Sequence, residues 1–252
     1  MSTVNYIAGI YVYDKEDDTN FRNGYLVIFN PAKKDAKIKM IVYFEDEEPV
    51  DLKFQVPAES NRAFNMYEHR EVFKNKRWGA KLLSNVPIIV QDVHGTYAPE
   101  DRPNYLTRSM CTTFAATRLS KCWYYADGIY IEKPGNILRE LAPNTPLYEP
   151  EYVAFLNPNK KEAEITMTVF YHDQTQSEYK FTVPTERYKW VDLGNIIIKN
   201  KHFGARFVST EPILVYEERI AYEYGNPIQR AVFCTIAHPW PLEWGDEFQE
   251  SM

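Results

Sequence analysis

The residues best suited to bind a ligand are two arginines and a glutamate in the second half of the chain, Arg187, Arg219 and Glu151. An arginine side chain presents a rigid fork of N–H donors that suits hydroxyls, carboxylates and phosphates. A glutamate carboxylate accepts hydrogen bonds from sugar hydroxyls. These residues predict a site for a small polar ligand. The alternative is that they are surface charges or partners in salt bridges, which are common on protein surfaces.

Aromatic residues offer a second kind of contact. Trp123, Tyr124 and Tyr125 are consecutive and can form a platform against the face of a sugar ring, but large aromatic residues are as often part of the core. Trp240 and Trp244 lie near the end of the chain. We expect these two to pack back onto a domain or to cover an interface.

Motifs for metals, cofactors and catalysis are missing from the sequence. The five histidines have no metal-ligand spacing, and there is no Cys-x-x-Cys pair, phosphate-binding loop or nucleophile elbow. We therefore predict isolated histidines, no cofactor, no metal and no enzymatic activity. The acidic runs Glu45–Glu48 and Glu217-Glu218 offer carboxylates for glycoside hydrolysis, although charge runs are usually solvated.

Charge and hydropathy narrow the partners and the compartment. The net charge of −6 argues against nucleic acid or an anionic membrane as the main partner. The first residues have neither the basic start nor the apolar run expected of a signal peptide, and no apolar stretch is long enough to cross a bilayer. The three cysteines are an odd number without a close pair, which predicts reduced thiols and a cytoplasmic location. Cys111 and Cys234 are expected to be buried structural thiols.

The chain contains an internal repeat. Residues 25–66 and 152–193 align without gaps and are identical at 15 of 42 positions. Residues 74–97 and 199–222 follow in the same order and are identical at ten of 24 positions. A repeat of this length is a domain and not a solenoid unit. We therefore predict a first repeat over residues 1–120, a second over 121–239 and a C-terminal tail over 240–252, with the two repeats packed closely.

Apolar residues alternate with polar ones in the shared segments. Ile38, Met40 and Val42 have the same parity as Ile165 and Met167 of the second repeat. This period of two predicts half-buried antiparallel strands. Short apolar runs that begin at Pro87 and Pro212 predict further buried strands, and Asn-Pro pairs predict turns. The fold expected is all-β, with two tandem antiparallel β-sandwich (jelly-roll-like) domains; a barrel stays open as an alternative.

Several short motifs of the second repeat occur together in one known family. They are Cys122-Trp123, Ala126-Asp127-Gly128, Glu151 ahead of Phe155-Leu156-Asn157, Tyr171-His172-Asp173, Val183-Pro184 with Arg187, and the stretch from Ser209 to Arg219. With these motifs the second repeat resembles the sensory rhodopsin transducer domain, a small β-sandwich of prokaryotes. The first repeat resembles it more weakly and has His94 where the second has Arg219.

The resemblance implies a function and an assembly. The family is proposed to bind small molecules such as sugars, and its namesake relays signals from a membrane photoreceptor as a tetramer of single domains. A chain with two such domains is expected to form a homodimer. The ligand-binding residues implied for the second repeat are Trp123, Asp127, Glu151, Arg187 and Arg219.

The first repeat lacks most of this polar set. Val4, Gly24 and Ser60 stand at the positions of Trp123, Glu151 and Arg187. We therefore expect one site in each chain, in the second repeat, and a structural first repeat. The expected function is non-enzymatic binding of a small, carbohydrate-like molecule by a sensor or signal transducer. The alternatives are a protein-interaction subunit without a small ligand and a carbohydrate-active enzyme.

Overall fold

The segments in which apolar and polar residues alternate form strands in both repeats, as predicted. A computed structural model describes residues 1–12, 21–97, 107–131, 147–223 and 229–239. Ile38, Met40 and Val42 are buried along one strand, and Ile165 and Met167 are buried along its counterpart. The prediction of an all-β chain with antiparallel sandwiches is confirmed.

Over its described residues, the first repeat has seven strands, a 3-10 turn over Met66–His69 and one helical turn, α1 (Arg70–Phe73). The strands are β1 (Ser2–Val12), β2 (Phe21–Asn30), β3 (Ala36–Phe44), β4 (Val50–Val56), β5 (Ser60–Asn65), β6 (Lys76–Tyr97) and β7 (Thr107–Phe114).

The second repeat, apart from residues 132–146 and 224–228, which are not described, has nine strands and a 3-10 turn over Leu193–Asn195. The strands are β8 (Ser120–Ile129), β9 (Leu147–Tyr148), β10 (Glu151–Asn157), β11 (Ala163–Tyr171), β12 (Gln176–Val183), β13 (Arg187–Asp192), β14 (His202–Glu223), β15 (Gln229–Ile236) and β16 (His238–Pro239).

Each repeat is a sandwich whose two sheets share one long strand. In the first repeat the order is β4-β3-β6-β1 in one sheet and β5-β2-β6-β7 in the other, with all pairs antiparallel. The second repeat has the same arrangement, β12-β11-β14-β8 and β13-β10-β14-β15, and β16 adds to the edge of β8. The common topology supports the duplication read from the sequence.

The shared strands β6 and β14 correct one sequence prediction. The apolar runs after Pro87 and Pro212 were expected to be separate strands, but each continues a strand of 22 residues. The pairing of β6 with β3 ends at Ser84, and its pairing with β2 begins at Ile89. Pro87 lies in the interval where the strand leaves one sheet for the other. A residue without an N–H fits there, since it could not donate to a ladder.

The two repeats bury apolar surface against each other. Ala8 and Tyr43 of the first repeat belong to the same buried cluster as the core of the second. Gly9, at φ 83°, lies against the ring of Tyr216, and the guanidinium of Arg77 lies 4.3 Å from the ring centroid of Trp190. The predicted close packing follows from this shared core, whereas the predicted boundary near residue 120 stays a prediction.

A disulfide between Cys111 and Cys234 corrects the prediction of reduced thiols. These two residues occupy equivalent positions on β7 and β15, and their Cα atoms are 6.0 Å apart, within the range that a disulfide spans. Their separation of 123 residues hid the pair, because only the packing of the two repeats brings the strands together. Cys122 is buried and free.

The tail predicted over residues 240–252, with Trp240 and Trp244, lies outside the described residues. In the part of the chain that the structure describes, no helix has the length and apolar character needed to cross a membrane.

Candidate functional site

Paired strands place three polar residues on one face of a sheet in the second repeat. Glu151 of β10 pairs with Arg219 of β14, and Val153 pairs with Glu217. Directly opposed residues and alternate residues along a strand share a face. Tyr125 of β8, in the facing sheet, donates its hydroxyl to Glu151. We call Tyr125, Glu149, Glu151, Glu217 and Arg219 the acidic site.

Two hydrogen bonds hold the carboxyl group of Glu151 in the acidic site. Its Oε1 accepts from the Tyr125 hydroxyl at 2.8 Å, and its Oε2 accepts from the Ile129 amide at 2.6 Å. Burial raises the pKa of Glu151 to about 8, although the two hydrogen bonds act to lower it. The carboxyl therefore keeps its proton to an unusually high pH.

Among the described residues of the acidic site, Glu217 has unused hydrogen-bonding capacity at both carboxyl oxygens, and Arg219 has it at Nε. Glu217 is 1% exposed, and neither of its carboxyl oxygens has a hydrogen-bond partner within the described part of the chain. Burial, followed by the charge of Glu151, raises its pKa well above the ordinary value. A buried polar group without a partner is costly, so its presence calls for an explanation.

Arg219 connects the interior of the acidic site to the solvent. Its Nε lies 3.6 Å from Glu149 Oε2, and its Nη2 lies 3.5 Å from Asp127 Oδ2. Its guanidinium also lies 4.9 Å from the ring centroid of Phe233 on β15. The Asp127 side chain is 78% exposed and Phe233 is 49% exposed. The acidic site thus combines buried carboxyls with two exposed side chains, Asp127 and Phe233, which we call its rim.

The structure brings together three of the five predicted binding residues. Glu151, Arg219 and Asp127 lie at one end of β10. Arg187 pairs with Asn157 at the other end of this strand, six residues or about 20 Å from Glu151. Arg187 instead contacts Glu48 of the first repeat.

Trp123 is fully buried in the core, where its Nε1 donates to the carbonyls of Ser120 and Ile213, both at 3.0 Å. Trp123 is therefore part of the core, which the sequence analysis gave as the alternative to an aromatic platform. Since neighbouring side chains of a strand point to opposite faces, Trp123 and Tyr124 cannot share one platform. Tyr125 contributes to the acidic site through the hydrogen bond from its hydroxyl to Glu151.

Sequence reasoning missed Glu149 and Phe233, and it considered Glu217 only as part of an acidic run. The prediction that Glu217-Glu218 is a solvated charge run is wrong, because both residues are 1% exposed. A signal was present, since this pair continues an apolar strand and is not flanked by turn residues. The run Glu45–Glu48, which does occupy a turn between strands, is exposed as expected.

The corresponding end of the first repeat is closed by the second repeat. Gly24 pairs with His94 there, in place of Glu151 and Arg219. His94 is buried, with Nδ1 2.8 Å from Asp92 Oδ2 and Nε2 3.0 Å from Cys111 Sγ. From the second repeat, Glu218 Oε1 lies 3.6 Å from Nε2 and the Tyr216 hydroxyl 3.4 Å from it.

This cluster contradicts the prediction that every histidine is isolated. Burial by itself lowers the pKa of His94, but Asp92 and Glu218 outweigh burial and raise the pKa to about 9. Asp92, His94 and Cys111 come from the first repeat, and Glu218 comes from the second. The cluster is therefore formed only when the two repeats are packed together.

Two surface depressions lie in the first repeat, away from the acidic site. One, of about 300 Å³, is lined by Glu45, Glu47, Lys76 and Arg77 among others. The other, of about 550 Å³, lies along β3, β4 and β6. The first depression is lined mainly by exposed charged side chains, whereas Glu151 and Glu217 of the acidic site are buried.

Comparison with known proteins identifies related domains. The family model described as Anabaena sensory rhodopsin transducer matches residues 7–98 and 120–239. The solved Anabaena sensory rhodopsin transducer is 26% identical, with 39% of this chain and 86% of that chain covered and a TM-score of 0.31. The crystal structure of Thermotoga maritima 1070 is 16% identical, with 48% and 95% covered and a TM-score of 0.39. A β-glucuronidase of Bacteroides uniformis is 11% identical, with 86% and 24% covered and a TM-score of 0.17. A comparison with curated proteins found no match.

Proposed function

The chain belongs to the Anabaena sensory rhodopsin transducer family and carries two copies of its domain in tandem, and from this premise we propose that it binds a small, neutral, polyhydroxylated molecule at the acidic site. Binding is non-enzymatic in this proposal, and each chain has one site. The sugar-like ligand implied by the sequence resemblance is thereby assigned to Glu151, Glu217, Arg219 and Asp127.

The carboxyl of Glu217 carries the proposal. It is buried, and neither oxygen bonds to another described residue. A carboxyl that keeps its proton can both donate and accept, as a sugar hydroxyl also does. A ligand hydroxyl that reached Glu217 would supply hydrogen bonds that this group does not make to any described residue.

The surrounding charges favour a neutral ligand over a sugar acid or sugar phosphate. Arg219 already lies between Asp127 and Glu149, so an anion would gain little from it. The buried carboxyls of Glu151 and Glu217 would repel an anion whenever they ionise. Phe233 offers an exposed apolar ring at the rim, against which the C–H face of a sugar can pack.

In the described residues of the first repeat, the equivalent position is covered by the second repeat. His94 takes the position of Arg219, and Glu218 and Tyr216 of the second repeat lie against it. With Gly24 in place of Glu151, this end also lacks the carboxyl that accepts from Tyr125 in the second repeat. These contacts support a single site in each chain.

A thermal-shift screen over neutral monosaccharides, amino sugars, sugar acids and sugar phosphates tests the proposal. A neutral sugar should raise the melting temperature, and the shift should grow with the logarithm of the sugar concentration above the dissociation constant. Arg219→Ala and Glu217→Ala should abolish the shift while the circular dichroism spectrum is kept. Arg187→Ala is the matched control, because this arginine lies at the far end of β10, and its shift should equal that of the unaltered protein. A shift that survives both site variants, or is lost only in the control, would remove this assignment.

A carbohydrate-active enzyme is the weaker alternative. Glycoside hydrolysis needs one protonated carboxyl and one ionised partner across the scissile bond. The pKa values of Glu151 and Glu217 are both raised, so this pair supplies two acids, and neither residue serves as the ionised partner. Incubation with a set of nitrophenyl glycosides should therefore release no nitrophenol, and release that depends on Glu217 would favour the enzyme.

A signalling role through a protein partner is the second candidate, and the family supports it. Met110 and Phe114 lie on the same side of β7 and are 52% and 63% exposed. We propose that a second copy of the chain covers this face and makes the predicted homodimer. Light scattering should give the mass of a dimer for the unaltered chain and of a monomer for Phe114→Ser. A monomer in both cases would end this part of the proposal.

A further inference from the structure

We propose that Cys111, Cys234, His94 and Glu218 form a zinc site at the junction of the two repeats, which becomes available when the disulfide is reduced. The site is separate from the acidic site. It would connect the repeats through a metal ion in place of the sulfur–sulfur bond.

Convergence of the donor atoms supports this assignment. The two sulfur atoms and a ring nitrogen of His94 all lie within 4.8 Å of one another. Around a tetrahedral zinc ion, bonds of about 2.3 Å to sulfur and 2.0 Å to nitrogen place the ligand atoms about 3.5 Å apart. Glu218 Oε1 is 3.6 Å from His94 Nε2, so it is spaced as a fourth ligand. Separation of the two sulfur atoms on reduction would open the space for the ion.

His94 is held in the orientation that a metal ligand needs. Its Nδ1 lies 2.8 Å from Asp92 Oδ2, and its Nε2 faces Cys111 at 3.0 Å. Around zinc, the ring nitrogen of a histidine that does not bind the metal usually donates to a carboxylate. This hydrogen bond fixes the orientation of the ring and raises the basicity of the nitrogen that binds the metal. Asp92 is in this scheme a positioning residue and not a ligand.

The charge and burial of the cluster also suit a divalent cation. The side chains of Asp92 and Glu218 are fully buried on either side of one imidazole. Conversion of the disulfide to two thiolates would add negative charge to the same place, and burial of that charge is costly without a cation. The ligands come from β6, β7, β14 and β15, which explains why no spacing motif revealed them.

The chemical steps balance with a dithiol as the reductant. The dithiol gives two electrons and two protons to the disulfide; its own two sulfur atoms join, and Cys111 and Cys234 become thiols. Zinc(II) then replaces the two thiol protons and any proton on His94 Nε2, and these protons pass to solvent. Because cytoplasmic thiol systems reduce disulfides, the predicted cytoplasmic location, still a proposal, would favour the metal form.

Cobalt(II), a spectroscopic substitute for zinc, tests the site in the full chain. The chain is reduced with dithiothreitol, freed of the reductant without air and titrated with cobalt(II). We expect one ion per chain, with tetrahedral visible bands and a thiolate charge-transfer band, and zinc(II) should displace it. The oxidised chain should bind none. Absence of the charge-transfer band in the reduced chain would overturn the proposal.

Variants and labelling assign the ligands. Cys122→Ser is the matched control and should bind as the unaltered chain does, whereas Cys111→Ser and Cys234→Ser should lose tight binding. Asp92→Asn should weaken zinc binding about 10- to 100-fold. Labelling of the unaltered reduced chain with iodoacetamide needs no variant, and zinc should protect Cys111 and Cys234. Equal labelling of both residues with and without zinc would also overturn the proposal.

Discussion

Asn30 and Asn157 make the same three hydrogen bonds at equivalent points of the two repeats. Asn30 Nδ2 donates to the carbonyls of Lys34, Val56 and Pro57 at 2.9, 3.2 and 2.9 Å. Asn157 Nδ2 donates to those of Lys161, Val183 and Pro184 at 2.8, 3.1 and 3.0 Å. Each asparagine thereby ties the end of one strand to the turn that follows it and to the end of a neighbouring strand.

Replacement of either asparagine by aspartate should destabilise the chain strongly. Asn157→Asp removes both N–H donors and places a carboxylate against three carbonyl oxygens in a buried position. We expect a loss of about 3 kcal/mol or more in the free energy of unfolding, measured by urea denaturation at pH 7. Asn61→Asp, on the exposed face of β5, is the control and should change it by less than about 0.5 kcal/mol. A small effect of Asn157→Asp would show that these bonds are not needed.

The fold was predictable because its signals are local and occur twice. Alternation over Ile38–Val42 marks a strand, and its recurrence at Ile165–Val169 marks a duplicated domain. The path of β6 was not predictable in the same way. Whether the residues after Pro87 begin a new strand or continue an old one depends on which sheet they join, and that is decided by contacts distant in sequence.

The candidate site was predictable only in part, for the same reason. Glu151 and Arg219 face each other because β10 and β14 are paired, and the resemblance to a family supplied this pair. Arg187 also lies beside β10, but at the end opposite to Glu151. The order of residues in the sequence does not reveal this distance between Arg187 and Glu151. Cys111 and Cys234 meet only through the packing of the repeats.

Stability should fall as the pH rises because of the buried acids. In the unfolded chain a glutamate releases its proton near pH 4.5, whereas folded Glu151 keeps its proton up to about pH 8. Between these values the folded state binds more protons, so its stability decreases by up to about 1.4 kcal/mol per pH unit for each such group. Glu217, with a raised pKa, adds to this effect. Urea denaturation from pH 4.5 to 8 measures the slope.

Glu217→Gln isolates one of these contributions. The amide has nearly the shape of a protonated carboxyl and does not ionise, so the variant should match the unaltered chain near pH 5, exceed its stability at pH 8 and have a shallower slope. Glu178→Gln, at an exposed position of β12, is the control and should leave the slope unchanged. An unchanged slope in Glu217→Gln would mean that Glu217 ionises normally in the folded chain.

Gly9→Ala should weaken the junction of the two repeats. A Cβ atom at this position would lie 1.7 Å from Cε1 of Tyr216, and the φ of 83° is itself unfavourable for alanine. We expect a loss of more than about 2 kcal/mol in the free energy of unfolding. In the Tyr216→Ala background the same change should cost about 1 kcal/mol, because only the backbone penalty remains. An equal cost in both backgrounds would contradict the contact.

Reduction of the disulfide in the absence of metal should lower stability. The bond between Cys111 and Cys234 closes a loop over a sequence separation of 123 residues and so restricts the unfolded chain. With a chelator present, dithiothreitol should reduce the free energy of unfolding by about 2–5 kcal/mol, measured as a lower urea midpoint. Cys122→Ser should respond as the unaltered chain does, whereas Cys111→Ser should start at the lower midpoint and not respond. If the urea midpoint of the unaltered chain were the same with and without dithiothreitol, the two cysteines would not be bonded in solution.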